Sequence, residues 1–249
     1  MIKLFRSIRK SLLTENKASK YLLYALGEIF LVVIGILLAL QINNWNQNRL
    51  NLLEKNELLS ELNVEFKANK KALSDYRLAE QNAIEAGIEL INLVGASKEK
   101  LSDYNLDSLL FESFPANELA FADNAVNNIV QSGRLNLFKD DTIATLLYQW
   151  NSLGEIRKIR IEKLDLWNNE EFIPFLLPYI SFREMDSYAN FRWTGKSKVK
   201  PDYYPLFQKV EFENCLENTL WMHQKIIDRL NESEVLIDKI INVTRPQES

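Results

Sequence analysis

Chemistry in this chain has to start from few side chains. Its 249 residues hold one histidine, His223, and one cysteine, Cys215. His223 shares a helical face with Leu216, Leu220 and Ile227, and positions 219, 220, 226 and 227 supply no carboxylate. A protein zinc site takes three or four ligands, so the spacing predicts a histidine packed in a core and hydrogen-bonded to a neighbour. Cys215 lies in a helical pattern with no nearby histidine in sequence, and no Gly-x-Ser-x-Gly elbow occurs. The seven glycines form no phosphate-binding loop. The acidic pairs Asp140-Asp141, Glu170-Glu171 and Glu211-x-Glu213 do not have calcium-loop spacing. Asp140-Asp141 suits the positive end of a following helix. No catalytic residue, metal site or cofactor is expected, and the chain reads as a non-enzyme. A single cysteine also excludes an intrachain disulfide.

Two stretches suit binding. Around Ser132, Gly133 and Arg134, a helix end, a short extended piece and a new helix start meet within ten residues. Free backbone N–H groups there could hold an anion. The plainer alternative is a tight helix–helix connection that needs glycine for its backbone angle. The second stretch is Tyr179–Phe207, where aromatic and basic residues alternate. Phe191, Arg192, Trp193, Lys196, Lys198, Tyr203 and Tyr204 are its candidate binding residues. Such loops suit glycan, peptidoglycan, lipid-headgroup or protein contacts. In the alternative reading these aromatics fold back over a helical core. Residues 191–196 could also form a small hairpin.

The element that positions everything else is the apolar run Tyr21–Ile42. Its 22 residues would reach about 33 Å as a helix, enough to cross a bilayer. Glu28 interrupts it, leaving a 12-residue core, Ile29–Leu40, of signal-peptide length. The sequence after that core has no small-x-small cleavage site, and the preceding flank is long, so an uncleaved anchor is the reading. Six basic residues precede the run (Lys3, Arg6, Arg9, Lys10, Lys17, Lys20), and only Arg49 and Lys55 occur in the next fifteen. The positive-inside rule then places the N-terminus in the cytoplasm. Tyr21, Tyr24 and Trp45 suit the two interfaces. Tyr24, Glu28, Gly35 and Ala39 fall on one stripe at 100° per residue. Gly35 and Ala39 form a small-xxx-small pair, which allows two helices to approach closely. Membrane-depth carboxylates usually face protein or water, so the stripe reads as an association face, or Glu28 reaches the inner headgroups.

Residues 1–20 form a basic cytoplasmic segment whose Leu4, Phe5, Ile8 and Leu12 make one amphipathic face. It suits an anionic inner leaflet. No cytoplasmic domain is expected there. Beyond residue 42, six of the 30 basic and two of the 34 acidic residues are left behind, so the remainder carries a net −8. That balance argues against nucleic acid as a partner. Few Gly and Pro with many Leu, Glu and Lys point to helices. A seven-residue spacing picks out Leu52, Leu59, Phe66, Leu73, Glu80, Gly87 and Val94, with companions Lys55, Leu62, Asn69, Tyr76, Ala83 and Leu90. The breaks rule out a strict coiled coil and leave a long amphipathic helix to about Val94. A turn at Gly95–Asp103 precedes helices at Leu106–Phe114, 122–132, Thr142–Asn169 and Leu206–Val243. One reading continues the fourth through residues 170–180 with proline kinks, and residues 185–205 are expected to be irregular. The expected fold is all-α: a transmembrane helix over 21–42, then an antiparallel helical bundle over 43–244 facing the periplasm, with a frayed tail at 245–249.

The N-terminal stretch IRKSLLTENKASKYLLYALGEI through VIGILLALQINNWN, with Gln131–Leu137 and the helix holding Leu146, Leu147, Tyr148 and Trp150, resembles an uncharacterised family of single-span membrane proteins from Bacteroidota. The resemblance implies a bacterial inner-membrane protein with a helical periplasmic domain, and brings no activity, ligand or catalytic residue. The expected function is a membrane-anchored interaction or scaffold module with a protein partner or a second copy. The alternative is a sensor or small-ligand-binding domain signalling through a membrane partner. Membrane lipid is the other expected partner.

Overall fold

The computed structural model describes residues 18–115, 118–138, 142–189, 191–193 and 195–246. The basic segment before residue 18, the Asp140-Asp141 pair, Thr194 and the tail from residue 247 lie outside the described residues, as do the side chains of Tyr21 and Tyr24. The chain divides into two units, Met1–Glu57 and Leu58–Ser249. A single helix, α1 (Ala18–Asn92), contributes to both. Among the described residues there is no strand, so the fold is all-α.

In the first unit, α1 carries the apolar run with its large side chains uncovered. Leu22, Leu23, Leu26, Ile29–Ile34, Ile36–Leu38, Leu40 and Ile42 are all exposed. This is the one stretch long and apolar enough to cross a membrane among the described residues, and none of its most apolar window is buried. The apolar exposure continues through Trp45, Leu50, Leu52 and Leu53, beyond the boundary at residue 42 read from hydropathy. The compact second unit starts only at Leu58.

In the second unit the seven-residue spacing becomes burial. Phe66, Leu73, Glu80 and Gly87 are buried, and so are the companions Leu62, Asn69, Tyr76, Ala83 and Leu90. They meet α9 (Val210–Val243). Contacts between the two pair rising numbers on α1 with falling numbers on α9: Asn63 with Ile241, Lys70 with Asp238, Arg77 with Glu234, Glu80 with His223, and Gly87 beside Leu220. The first hydrophobic core joins Leu62, Phe66 and Leu73 to Ile226, Leu230 and Ile237 of α9, and to Leu147 and Trp150 of α5 (Thr142–Trp167). Trp150 meets Phe66 edge-on at 5.0 Å between centroids. The second core gathers Leu90, Phe172, Leu176, Phe207, Phe212 and Leu216. Each fully buried aromatic or aliphatic side chain of this kind contributes about 1.5–3 kcal/mol.

The short elements fill the space between the long ones. Where a plain turn is expected at Gly95–Asp103, α2 (Lys98–Ser102) forms, because Ser97 Oγ accepts from Lys100 N at 3.3 Å. Gly95 takes φ +77°, and its N–H reaches Phe207 O at 2.7 Å, so the end of α1 is tied to α8 (Tyr204–Phe207). Next come α3 (Leu106–Glu112) and α4 (Asn124–Gln131). The fourth long element departs from its expected course: α5 stops at Trp167 and a π-helical turn, Asn168–Phe172, follows. That turn precedes α6 (Ile173–Leu176), where Pro174 sits in the first turn and lacks the N–H an interior helical position would need. After α7 (Phe182–Met185), residues 191–193 and 195–203 are irregular, so the hairpin considered from the sequence does not form among the described residues. The last long helix starts at Val210, four residues later than Leu206, because Pro205 opens the separate short helix α8.

Candidate functional site

The breaks in the α1 spacing lead to a polar centre. Glu80 Oε2 lies 2.7 Å from His223 Nδ1, and both side chains are only 1% exposed. This is the packed, hydrogen-bonded histidine expected from its apolar face. Tyr76, one turn earlier, bonds the same carboxylate; burial first, and then the Glu80 charge, push its phenol well above the usual range. His223 Nε2 is buried with no hydrogen-bond partner. Nearby, Trp167 Nε1 donates to Thr219 Oγ1 at 2.9 Å.

Tyr76 and Glu80 form one wall of a cavity of about 780 Å³. Most of the opposite wall is a single stripe of α5: Gly154, Arg157, Lys158, Ile161, Glu162, Asp165 and, past the helix end, Asn168. Spacings of three and four keep these residues on one helical face. The volume lies within the range of small-molecule sites.

Arg157 is 6% exposed. Its Nη1 donates to Ser233 Oγ at 2.8 Å, and its guanidinium lies 4.5 Å from the Phe121 ring centroid and 4.9 Å from that of Trp150. These rings hold the cation by cation–π attraction. Burial lowers its pKa to about 10, which leaves it charged at neutral pH. Asp165, two turns further on, has its carboxyl held above the usual range by burial and by the charges of Glu80, Glu118 and Glu162. The cavity is therefore cationic at one end and acidic at the other. No group of three or more metal-binding side chains occurs among the described residues.

The sequence-derived candidates lie elsewhere. Ser132 Oγ donates to Asn128 O, and Arg134 Nη1 donates to Asn128 Oδ1 at 2.7 Å. Gly133 takes φ +74° just past α4, and Arg134 opens a 3-10 turn, Arg134–Phe138. That geometry is the one a tight connection needs. The aromatic loop divides in two. Tyr203 donates its hydroxyl to Asp107, and Tyr204 lies 5.1 Å beneath Lys98 Nζ; both pack against the second core. Phe191 and Trp193 stack on each other at 4.9 Å, and Arg192, Trp193, Lys196 and Lys198 stay exposed. In the first unit, Gly35 and Ala39 are exposed, Glu28 is half-exposed, and among the described residues nothing beyond its own helix backbone and chain neighbours lies within 4 Å of where a Gly35 Cβ would be.

The cavity residues were not singled out from the sequence, although a trace was present. Glu80 interrupts an apolar spacing, and Arg157 interrupts the run Leu146, Leu147, Trp150, Leu153 on α5. Charged residues at core positions need a local reason. No family model matches the chain, and no curated protein or solved structure was found to be similar to it.

Proposed function

We propose that the chain is a single-pass membrane protein whose anchor also serves as an interaction surface. The observation that carries this reading is the uncovered apolar length of α1 in the first unit, against two well-filled cores in the second. Lipid is the medium that makes such a surface stable as a helix. The six-to-two distribution of basic residues supports a cytoplasmic N-terminus and a helical domain, an antiparallel bundle built on α1, α5 and α9, in the periplasm of a bacterial inner membrane. The resemblance of the N-terminal forty residues to single-span Bacteroidota proteins supports the same compartment.

On the anchor, Glu28, Gly35 and Ala39 share a stripe with Tyr24, and small residues there allow a second copy to pack closely. The protein thus acts as an interaction or scaffold module that self-associates through this face. The test is cysteine crosslinking in native membranes, with Ala39→Cys placed in a Cys215→Ser background. A disulfide-linked dimer is expected, and Gly35→Leu or Glu28→Leu should diminish it. A protein that stays monomeric under oxidation would refute self-association through this face.

A second reading is favoured by a separate observation, the polar cavity between α1 and α5. A cavity of about 780 Å³ with a buried arginine on its wall suits a small-ligand site. In that reading the helical domain senses a solute and passes its occupancy on through the anchor. Saturable thermal stabilisation by a solute would support it.

A further inference from the structure

Among the described residues, Arg157 is a buried cation without an anion. Among the described residues it makes one hydrogen bond, to Ser233, and two ring contacts, and it forms no ion pair. A guanidinium has five N–H donors in a fork that matches a carboxylate. A buried charge is normally paired, because its lost hydration is otherwise uncompensated. Nη2 points to the cavity side: it lies 3.7 Å from where a Cβ on Gly154 would sit, and Gly154 lines the same cavity.

At the far end the need is reversed. Asn168 Oδ1 is buried with no hydrogen-bond partner. It is placed there by the π turn that ends α5, a distortion common at functional sites. Asp165 lies at that end, where Glu118 and Glu162 oppose its charge, and among the described residues Lys158 pairs with Glu162 at 3.8 Å. An acceptor and a set of carboxylates want a donor cation. Eight residues separate Arg157 from Asp165, about 12 Å along a helix. Leu119, Phe121 and Ile161 line the cavity with apolar surface.

We propose that this cavity binds an elongated zwitterion of the size of a short peptide, with its carboxylate on Arg157 and its ammonium group at Asp165 and Asn168. Three extended residues span roughly 10 Å, so a tripeptide bridges the two ends and a free amino acid does not. The proposal rests on the ligand-binding reading above and is independent of the anchor.

The test uses the full chain in lipid nanodiscs, with trialanine as probe, followed by thermal denaturation and calorimetry. Trialanine should raise Tm saturably. N-acetyl-trialanine, which lacks the ammonium, and trialanine amide, which lacks the carboxylate, should each bind at least roughly tenfold more weakly, since a charged hydrogen bond is lost. Free alanine should give no shift. Arg157→Met should abolish binding of trialanine. If that variant does not fold, Asp165→Asn at the solvent-exposed end should still weaken trialanine at least roughly tenfold while leaving trialanine amide affected in the same proportion. No binding of trialanine at 10 mM, or equal binding by the blocked peptides, overturns the zwitterion. An Arg157-dependent shift with succinate instead would overturn it too, yet keep the ligand-binding reading. Silence of every probe counts against both.

Discussion

Glu65 holds the end of a helix that lies sixty positions further along the chain. Its carboxylate accepts from Ala125 N at 2.7 Å and Val126 N at 3.3 Å, so the first free N–H groups of α4 are satisfied from α1. Asp123, the residue just before α4, makes no side-chain capping bond. Glu65→Ala should therefore destabilise the fold by about 1–2 kcal/mol, the cost of losing a charged cap, with a smaller loss for Glu65→Gln. Thermal denaturation followed by circular dichroism checks this; an unchanged Tm for Glu65→Ala would show that α4 does not depend on it. Asp165 gives the opposite sign. Its folded-state pKa is raised above 3.8 by burial and by acidic neighbours, so ionising it opposes folding, and that penalty grows as pH rises through its folded pKa. Asp165→Asn should raise Tm at pH 7 and lose that advantage as pH falls below 3.8, where the wild-type carboxyl becomes protonated in both states. A Tm difference independent of pH would refute the electrostatic account. Neither effect could be read from the sequence: only tertiary packing puts Glu65 at the start of α4 and brings Glu80 and Glu118 to Asp165.

The pairing of α1 with α9 shows what spacing can and cannot disclose. The seven-residue repeat named the buried face of α1 correctly from Leu59 onward, because burial on a helix follows its period. The same repeat made Glu80 and Gly87 look like defects. Each is instead shaped to its opposite on α9: Glu80 takes His223, and Gly87 makes room for Leu220, whose Cδ2 lies 2.8 Å from where a Cβ would be. A spacing on one helix carries no record of the residue that faces it. Gly87→Leu should lower stability by roughly 1–3 kcal/mol through overpacking, less the gain of roughly 1 kcal/mol from replacing a helical glycine. Leu220→Ala in the same chain should recover part of that loss. A double-mutant cycle measures it, and additive effects would deny that these two residues share one space. The irregular elements are the least legible: the π turn after Trp167 and the helix at Lys98–Ser102 depend on which side chains the second core receives, Phe172 in the first case and Leu101 in the second.

For the whole molecule, the apolar surface of α1 and the net charge on either side of it make one argument. Residues beyond position 42 carry a net −8, and six basic residues flank the apolar run on its N-terminal side against two in the fifteen residues after it. The length of the proposed anchor alone is compatible with either direction; the proposed direction rests on the resistance of Lys and Arg near a span to translocation. Lys198 is exposed in the second unit, and Cys215 is the sole cysteine. Replacing Cys215 by serine and introducing Lys198→Cys or Ile2→Cys gives two variants with one thiol each, on opposite sides of the proposed span. With the outer membrane opened and the inner membrane intact, a membrane-impermeant maleimide should label the Lys198→Cys protein promptly. It should label the Ile2→Cys protein only after the inner membrane is lysed. The reverse pattern would turn the protein around and place the polar cavity, with Arg157 and Asp165, among cytoplasmic solutes. Labelling of both thiols before lysis would mean that the apolar length of α1 does not cross the membrane, and its cover would then have to be protein.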